Sequence, residues 1–576
     1  MFFASFLALI IFCVIAFFVA VGIIAAFAAG SKEEVAEKSV LVLDLSNHFP
    51  EHSSPDPMSI IENGEQSPSL YEVIRLIRHA KTDNNVSGIY VVANGSGNEA
   101  AANDELRSAL LDFRKTKKFV IAQGDAMSQQ AYFVASAADK VYVNPAGGFE
   151  WAGFSVTLPF LKGTLDKLEI QPQIFYAGKF KSATEIFRVD KMTPENRLQT
   201  TAWLNSLYNH FLSQVSSSRG IDTATLHALA NGASIQTPQD AVNAKLIDGV
   251  KYDDEIKAEI KNRISIGKYD KLNLVSLSKY NDAVSVRKSG SDRIAIIYAE
   301  GDIVDGEGST SNIGGETFRA LIRRARLDKS VKAIVLRVNS GGGSALASEV
   351  IWRELQVAKQ QDKKPVVVSF GDVAASGGYY ISCGADSIFA HPNTITGSIG
   401  VFGIIPNMQN FWKNKLGVTF DGVETAPYAD ISTVKPLDEK EKQVIQSGVE
   451  RIYNQFKHRV AEGRRKEVSY IDSIAQGRVW SGRDALQIGL VDRLGDLDDA
   501  IACAARMAKV DKFGLKEFPQ KESWLKSFVD RKKTEPSAII KENIGAENYR
   551  VFLQMKKIKE LTGSIQARMP FEIIIK

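Results

Sequence analysis

The chain has 576 residues, enough for roughly two to four domains with cores of their own. It carries 71 basic and 67 acidic side chains, and the net charge of +4 is too balanced to indicate a nucleic-acid-binding protein. Cys13, Cys383 and Cys503 lie far apart along the chain, which provides neither a disulfide framework nor a metal-ligand spacing. We therefore expect a large globular protein without nucleic-acid partners.

The first 30 residues contain no charged side chain and are rich in Phe, Ile, Val and Ala. A helix of this length would span roughly 45 Å, more than the roughly 30 Å hydrocarbon core of a bilayer. The sequence therefore predicts a retained transmembrane helix over residues 1–30. A cleaved signal peptide is the alternative, because small residues at 25–29 are typical of a cleavage site. Flanking charges do not specify the orientation of the helix.

The most informative stretch lies between residues 364 and 403. The β-branched run from Val366 to Val368 predicts a buried strand, which a turn of small residues follows. Ser376 stands in this turn, directly before Gly377 and an apolar stretch that predicts a helix. A hydroxyl at a helix N-terminus, beside an amide that can bind an oxyanion, indicates a nucleophile. A serine that merely caps the helix is the alternative.

A second glycine-rich turn lies upstream of this serine. Residues 331–344 read VKAIVLRVNSGGGS, which predicts another buried strand that ends in a turn. Two strands that each deliver a glycine turn can each supply one backbone donor to an oxyanion hole. We therefore expect Gly342, Gly343 and Gly377 to form such a site.

Three stretches resemble the signal peptide peptidase A family, also called protease IV: LRVNSGGGSALASE, AASGGYY and ITGSIGVFG. The family usually shows S-P-G-G where this chain has residues 340–343, SGGG, so a flexible residue replaces a rigid one while both glycines remain. The resemblance covers roughly residues 40–510. It implies a membrane-anchored serine endopeptidase of the Clp/crotonase fold that cleaves remnant signal peptides and other apolar peptides through an acyl-enzyme.

The resemblance also implies a location and an assembly. It implies a single-pass protein of the bacterial inner membrane with its catalytic body on the periplasmic side. It further implies a ring-like homo-oligomer, of which a tetramer is one form. The expected partners are peptide substrates, chiefly cleaved signal peptides, and the membrane, and the expected chemistry requires no cofactor and no metal.

The chain also contains an internal repeat. Residues 83–94, DNNVSGIYVVAN, match residues 328–339, DKSVKAIVLRVN, and 118–145 match 365–392 at nearly the same offset. Alternating helices and buried strands predict an α/β fold with a parallel-rich sheet in each copy, so we expect two tandem Clp/crotonase-like repeats. The predicted division is an anchor over 1–30, an N-terminal repeat over 31–268, a polar linker over 269–291, a C-terminal repeat over 292–510 and a basic tail over 511–576.

The two copies differ where the chemistry would lie. Gln129 stands opposite Ser376, so the first repeat lacks the nucleophile. The first repeat holds Lys181 in KSATEIF, which resembles the family's K-S-A-x-E-P-F motif with Ile186 in place of proline. The resemblance implies that Lys181 is the general base. No lysine stands at the equivalent position of the second repeat, so each repeat is expected to supply one half of a serine–lysine dyad.

A lysine can act as a base only if its amine is not protonated. At an ordinary pKa near 10.4 the amine is almost fully protonated at pH 7, so burial must lower the pKa to about 7–8. Lys179 is the competing candidate, which its position in the motif disfavours. Ser398 can accept a hydrogen bond from Lys181 and orient it, although it is equally typical of a turn. His391, which precedes a proline, is interpreted as structural.

Two other classes of function are compatible with parts of this pattern. A crotonase-like enzyme acting on acyl-coenzyme A thioesters would use the same backbone donors to bind an enolate, but it would not need a serine–lysine pair. A non-catalytic membrane scaffold would tolerate the loss of both side chains. Loss of peptide hydrolysis in Ser376→Ala would separate the serine peptidase from both.

Overall fold

The structure is a computed structural model that describes residues 35–53, 68–284, 290–309, 311–520 and 565–569, together with Ser5, Ile11, Phe12 and Ile15. Most of the predicted anchor over 1–30 and most of the predicted tail over 511–576 lie outside the described residues. Within the described ranges, no helix has the length and apolar character that a membrane span requires. The anchor therefore stays a prediction from the sequence.

The first repeat contains a sheet whose strands all pair in parallel. The strands of the first repeat are β1 (Ser39–Asp44), β2 (Val86–Val92), β3 (Phe119–Met127), β4 (Lys140–Phe149), β5 (Gln171–Ala177), β6 (Gly249–Val250) and β7 (Leu274–Ser276), of which all but β5 belong to this sheet. Its helices are α1 (Leu70–Ala80), α2 (Ala100–Arg114), α3 (Gln129–Ala135), α4 (Lys162–Lys167), α5 (Glu185–Arg188), α6 (Pro194–Arg219), α7 (Thr223–Asn231), α8 (Pro238–Asn243), α9 (Asp253–Arg263) and α10 (Leu277–Ala283), with a 3₁₀ turn at Ser182–Thr184. The parallel sheet has the order β6-β4-β3-β2-β1-β7.

The second repeat repeats this plan with additions around the glycine turns. Its strands are β8 (Arg293–Glu300), β9 (Asp302–Val304), β10 (Asn312–Gly314), β11 (Val331–Ser340), β12 (Gly342–Ser344), β13 (Val366–Ala375), β14 (Ser387–Ala390), β15 (Ile395–Gly397), β16 (Val401–Asn407), β17 (Val479–Ser481), β18 (Arg493–Leu494) and β19 (Gly514–Phe518), and β20 (Gln566–Arg568) follows. Its helices are α11 (Gly315–Leu327), α12 (Ala345–Gln360), α13 (Gly377–Ser382), α14 (Glu439–Arg464), α15 (Val468–Ile474), α16 (Gly482–Gln487) and α17 (Leu497–Met507), with a π-turn at Phe411–Lys415.

The main sheets of the two repeats correspond strand by strand. The sequence β18-β14-β13-β11-β8-β19 in the second repeat matches β6-β4-β3-β2-β1-β7 in the first, again with parallel pairing. Two of these strands lie outside the predicted repeats, because β7 falls in the predicted linker over 269–291 and β19 in the predicted tail over 511–576. Both are edge strands with partly exposed side chains, so their sequences lack the apolar run of a central strand.

Capping residues explain where the long helices begin. The Thr193 side chain accepts a hydrogen bond from the Asn196 amide, and Pro194 occupies the first position of α6. Asp438 and Glu441 form a reciprocal capping box at the start of α14. These two helices hold equivalent places in the two repeats.

A third sheet joins the repeats. β5 of the first repeat pairs antiparallel with β16 of the second, from Gln171 opposite Asn407 to Ala177 opposite Val401. This sheet has the order β10-β9-β12-β20-β16-β5. Because the end of β5 runs into the second repeat, the residues that follow Ala177 are placed beside the turns of that repeat.

A buried ion cluster also crosses the boundary between the repeats. Arg337 on β11 is 1% exposed and donates to both carboxylate oxygens of Glu51, at 2.8 Å each, and to Glu105 at 2.6 Å. His391 Nε2 lies 3.1 Å from Glu105 Oε1. Burial by itself would raise the pKa of Glu105, but the charges of Arg337 and His391 hold it at about 2. The second repeat thus neutralises two buried carboxylates of the first.

Candidate active site

Ser376 lies between β13 and α13 in a strained conformation. Its φ of +54° is unusual for a residue other than glycine. The Ser376 amide donates to the Gly397 carbonyl at 2.8 Å, and its carbonyl accepts from Tyr380 at 2.8 Å, which holds the turn. Its hydroxyl is fully buried and contacts Lys181 rather than the amides of α13. The geometry therefore differs from that of a serine that caps a helix.

Lys181 follows the end of β5 and packs directly against the second repeat. Gly178 has a φ of +106°, and a Cβ there would lie 2.5 Å from the Gln476 carbonyl carbon. Gly477 has a φ of +75°, and a Cβ there would lie 2.7 Å from the Lys181 Cα. The Phe180 amide donates to the Gln476 carbonyl at 2.8 Å. Small residues at two positions therefore let the loop of the second repeat close over the lysine.

The two halves of the predicted dyad are in contact. Lys181 Nζ lies 2.8 Å from Ser376 Oγ, and 3.1 Å from both the hydroxyl and the carbonyl oxygen of Ser398. All three of these acceptors are neutral. Burial lowers the pKa of the Lys181 amine well below its ordinary value. The free amine is thus accessible at a lower pH than in an ordinary lysine, and its lone pair can accept the Ser376 proton.

The other sequence candidates near the lysine occupy different positions. Ser398 is fully buried, has a φ of +49° and donates its amide to the Arg478 carbonyl at 2.7 Å, which directs its hydroxyl and carbonyl toward Lys181. Lys179, the competing lysine, is exposed, with Nζ 5.2 Å from the centre of the Phe180 ring. The structure thus brings Ser376, Lys181 and Ser398 together and leaves Lys179 at the surface.

The two glycine turns also meet. A Cβ at Gly342, where φ is +98°, would lie 2.6 Å from the Gly377 amide nitrogen. The Gly342 amide itself donates to the Ser340 hydroxyl at 3.1 Å. Gly343 lies one residue further along β12, and a Cβ there would lie 1.9 Å from the Ile303 carbonyl oxygen. Of the three predicted oxyanion donors, Gly342 therefore has its amide engaged within the turn.

We expect Gly342→Ala to reduce kcat/KM for an apolar peptide by about 10²-fold or more, the effect of displacing the Gly377 amide, a predicted oxyanion donor. The added Cβ would collide with the Gly377 amide and would require an alanine at φ +98°. Gly163→Ala is the control, because a Cβ there would meet nothing within 4 Å and the residue lies in α4, away from both glycine turns. Steady-state kinetics and thermal unfolding of both variants test this, and equal activities would contradict the prediction.

Two polar residues that sequence reasoning missed hold the lysine segment in place. The Gln199 side chain donates to the Phe180 carbonyl at 3.0 Å and accepts from the Val479 amide of the second repeat at 3.2 Å. The Glu185 carboxylate accepts from Thr193 at the start of α6. The motif KSATE indicates that Glu185 has a structural role, whereas nothing in the helical sequence around Gln199 distinguishes that residue.

In the first repeat, Gln129 stands at the position equivalent to Ser376, and its side chain binds backbone groups. The Gln129 amide oxygen accepts from the amides of Ala152 and Gly153 at 2.9 Å each, and its nitrogen donates to the Gly153 carbonyl at 2.9 Å. The neighbouring Ser128 accepts from the Ala131 amide and caps α3. In the first repeat, the turn at the end of β3 therefore holds the loop at residues 152–153 in place.

Known proteins similar to this chain share most of its length. The profile of peptidase family S49 matches residues 112–266 and 358–511, one range in each repeat. The chain is 37% identical to protease 4 of Salmonella typhi, over 92% of this chain and 88% of that protein. It is 35% identical to protease 4 of Haemophilus influenzae, over 84% and 82%, and 30% identical to the chloroplastic serine protease SPPA of Arabidopsis thaliana, over 83% and 70%. The chain therefore belongs to peptidase family S49 and is a serine peptidase.

Proposed function

We propose that Ser376 is the nucleophile and Lys181 the general base of this peptidase, and that it cleaves remnant signal peptides and other apolar peptides as an endopeptidase. The observation that carries the proposal is the 2.8 Å contact between the Lys181 amine and the Ser376 hydroxyl, both buried and contributed by different repeats. A hydroxyl within hydrogen-bond reach of a neutral amine meets the geometric requirement for nucleophile and base.

The proposed reaction has two stages. The Lys181 amine removes the hydroxyl proton while Ser376 Oγ attacks the substrate carbonyl carbon, and the resulting oxyanion accepts hydrogen bonds from the Gly377 and Gly343 amides. The Lys181 ammonium then gives its proton to the leaving amine as the peptide bond breaks, which leaves an acyl-enzyme. In the second stage Lys181 removes a proton from a water molecule that attacks the acyl carbon, and the ammonium then returns this proton to Ser376 Oγ as the ester bond breaks, which restores both side chains.

Ser398 serves as the positioning residue for the base. Its hydroxyl and carbonyl each accept a hydrogen bond from Lys181 Nζ at 3.1 Å. These two acceptors can hold the two hydrogens of a neutral amine, which turns the lone pair toward Ser376. Ser398→Ala removes one of them and leaves the carbonyl, so a smaller loss of activity follows than from removal of the lysine.

The remaining parts of the proposal concern architecture and location. Each repeat adopts a Clp/crotonase-like fold, which the parallel sheets of both repeats and the paired glycine turns of the second support. The edge strands β7 and β19 extend the two repeats beyond the predicted bounds 31–268 and 292–510. The segment 1–30 anchors the chain as a single span in the bacterial inner membrane, which its uncharged apolar sequence supports. The body lies on the periplasmic side, as the resemblance to the signal peptide peptidase A family implies. The working form is a homo-oligomer, with a tetramer as one arrangement.

Ser376→Ala in the full-length, detergent-solubilised protein tests the nucleophile. Hydrolysis of a fluorogenic apolar peptide should be abolished, while the thermal midpoint stays close to that of the parent because only one oxygen atom is lost. Ser382→Ala is the matched control, since Ser382 is equally buried and its hydroxyl donates to the Gly378 carbonyl within α13. Persistence of most of the activity in Ser376→Ala would refute the assignment.

The pH profile of kcat/KM provides a separate prediction. Burial lowers the pKa of Lys181, so activity should rise with pH as the amine loses its proton. This rise should occur at pH values below the pKa of an ordinary lysine. The unfolded chain keeps the ordinary, higher pKa, so the free energy of unfolding should also rise with pH between the two values. Lys181→Met should remove this part of the pH dependence of stability. A stability profile identical to that of the parent would contradict the pKa shift.

A further inference from the structure

A short strand of the chain lies inside the third sheet, next to Ser376. β20 pairs antiparallel with β12, with Gly342 opposite Arg568 and Gly343 opposite Ala567, and its other edge pairs with β16. The Met569 amide donates to the Gly341 carbonyl at 2.7 Å, which continues the ladder. An extended segment therefore runs along the glycine turn that leads to the proposed oxyanion site.

The carbonyl of Ala567 lies at that site. Hydrogen-bonded pairs alternate along an antiparallel ladder, and bonds from Met569 to Gly341 and from Ala345 to residue 565 flank the Ala567–Gly343 pair, so the Gly343 amide faces the Ala567 carbonyl. A Cβ built on Gly377 would lie 2.9 Å from the same carbonyl oxygen. The oxygen thus lies against both turns whose amides are the proposed oxyanion donors.

Alternate side chains of this segment enter pockets of the body. Ala567 is completely buried in the core of the second repeat, and Ile565 packs against the same core. Met569 is 6% exposed and lies in an apolar pocket built by both repeats, lined by Trp203 and Leu207 of α6 and by Ala375, Ile395 and Val479. Arg568 projects to the other side, where it pairs with Asp302 at 2.5 Å. Backbone pairing with alternate side chains in pockets is the usual mode of peptide binding along a strand.

We propose that residues 565–569 occupy the substrate groove as an intramolecular pseudosubstrate, and that the pockets they fill set the substrate preference. The inference rests on the proposed function, because Ser376 defines the groove. A substrate in the same register places a small residue, as Ala567 is, on the amino side of the bond that is cut. Its second residue beyond that bond enters the Trp203 pocket, which fits a long apolar side chain such as that of Met569. The first repeat thus contributes a specificity pocket as well as the base.

A tethered segment competes with substrate through its high effective concentration, so loosening it should increase activity. In the full chain, Met569→Asp places a carboxylate in the apolar pocket and should raise kcat/KM for an apolar peptide by about tenfold, mainly through a lower KM. A synthetic peptide with the sequence of residues 563–571, GSIQARMPF, should restore competitive inhibition. Met507→Asp is the matched control, because Met507 is an exposed methionine at the end of α17.

A second variant keeps the test decisive if Met569→Asp does not fold. A chain that ends at Ser564 lacks the segment and should show the same gain, again reversed by the peptide. A folded variant of either kind whose Ser376-dependent kcat/KM is unchanged or lower would overturn the inference while leaving the proposed function intact. Activity that survives Ser376→Ala would instead overturn the proposed function.

Mapping of cleavage sites tests the assignment of the Trp203 pocket separately. We expect cleavage sites mapped by mass spectrometry on a peptide mixture to have a small residue before the cut and a long apolar residue two positions after it. Trp203→Ala should reduce the ratio of kcat/KM values for a peptide pair that differs by Met against Ala at that second position. Cleavage sites with large residues before the cut, or an unchanged ratio, would overturn the assignment.

Discussion

Lys181→Ala should lower kcat/KM for an apolar peptide by about 10²–10⁴-fold or more at neutral pH, the range expected when a general base is removed. Lys181 Nζ lies 2.8 Å from Ser376 Oγ and is buried, so the variant leaves the hydroxyl without a base. The other hydrogen-bond partner of the hydroxyl, the Gly400 carbonyl at 3.4 Å, cannot take up its proton. Lys181→Met should show the same loss while keeping the volume of the side chain. Steady-state kinetics of the two variants, with folding checked by circular dichroism, measure the effect.

Lys179→Ala is the control for this prediction. Lys179 lies two residues away on the exposed side of the same segment, so its removal should leave kcat/KM close to that of the parent. If Lys179→Ala were inactive and Lys181→Ala active, the alignment of the lysine motif would be wrong by two residues. If both were active, the base would have to come from elsewhere.

Arg337→Met should lower the free energy of unfolding by about 3–5 kcal/mol, the usual effect of removing one partner of a buried ion cluster. The guanidinium of Arg337 holds Glu51 and Glu105, and all three side chains are buried between the repeats. Its loss would leave two carboxylates in a medium that cannot solvate them. Denaturant unfolding at neutral pH measures the change.

Arg319→Ala is the matched control for the buried arginine. Arg319 pairs with Glu316 at the surface of α11, where an ion pair stabilises by only about 0–1 kcal/mol. Combining Arg337→Met with Glu51→Gln and Glu105→Gln should recover much of the lost stability, because the two buried carboxylates that the guanidinium paired are then replaced by neutral amides. A loss below about 1 kcal/mol in Arg337→Met would contradict the role assigned to the cluster.

Local sequence patterns, together with the resemblance of the lysine motif to that of the family, predicted residues that the structure brings into contact. The serine between small residues at a strand end, the lysine motif and the turn serine of T-G-S-I-G predicted Ser376, Lys181 and Ser398. The structure places oxygens of both serines within 3.1 Å of the Lys181 amine. The repeat predicted an α/β fold with parallel-rich sheets, which is confirmed. Membership of the peptidase family decides against the acyl-coenzyme A enzyme and the non-catalytic scaffold.

Features that depend on contacts between distant residues were not predictable in this way. The pairing of β20 with β12 joins segments more than 200 residues apart, and nothing in QAR itself indicates its partner. The Arg337 cluster combines charges from three separate elements for the same reason. The engagement of the Gly342 amide by Ser340 depends on the detailed turn geometry, which the sequence SGGG does not specify.

Trapping the acyl-enzyme tests most directly whether serine and lysine from opposite repeats form one catalytic site. The full chain would be mixed with a slowly deacylating peptide ester, quenched with acid and digested, and the adduct located by mass spectrometry. The adduct should appear on the fragment that contains Ser376 and form far more slowly in Lys181→Ala. Ser398 lies 3.1 Å from the same amine and is the rival nucleophile. An adduct on Ser398, or labelling of Ser376 at the same rate in Lys181→Ala, would contradict the proposed dyad.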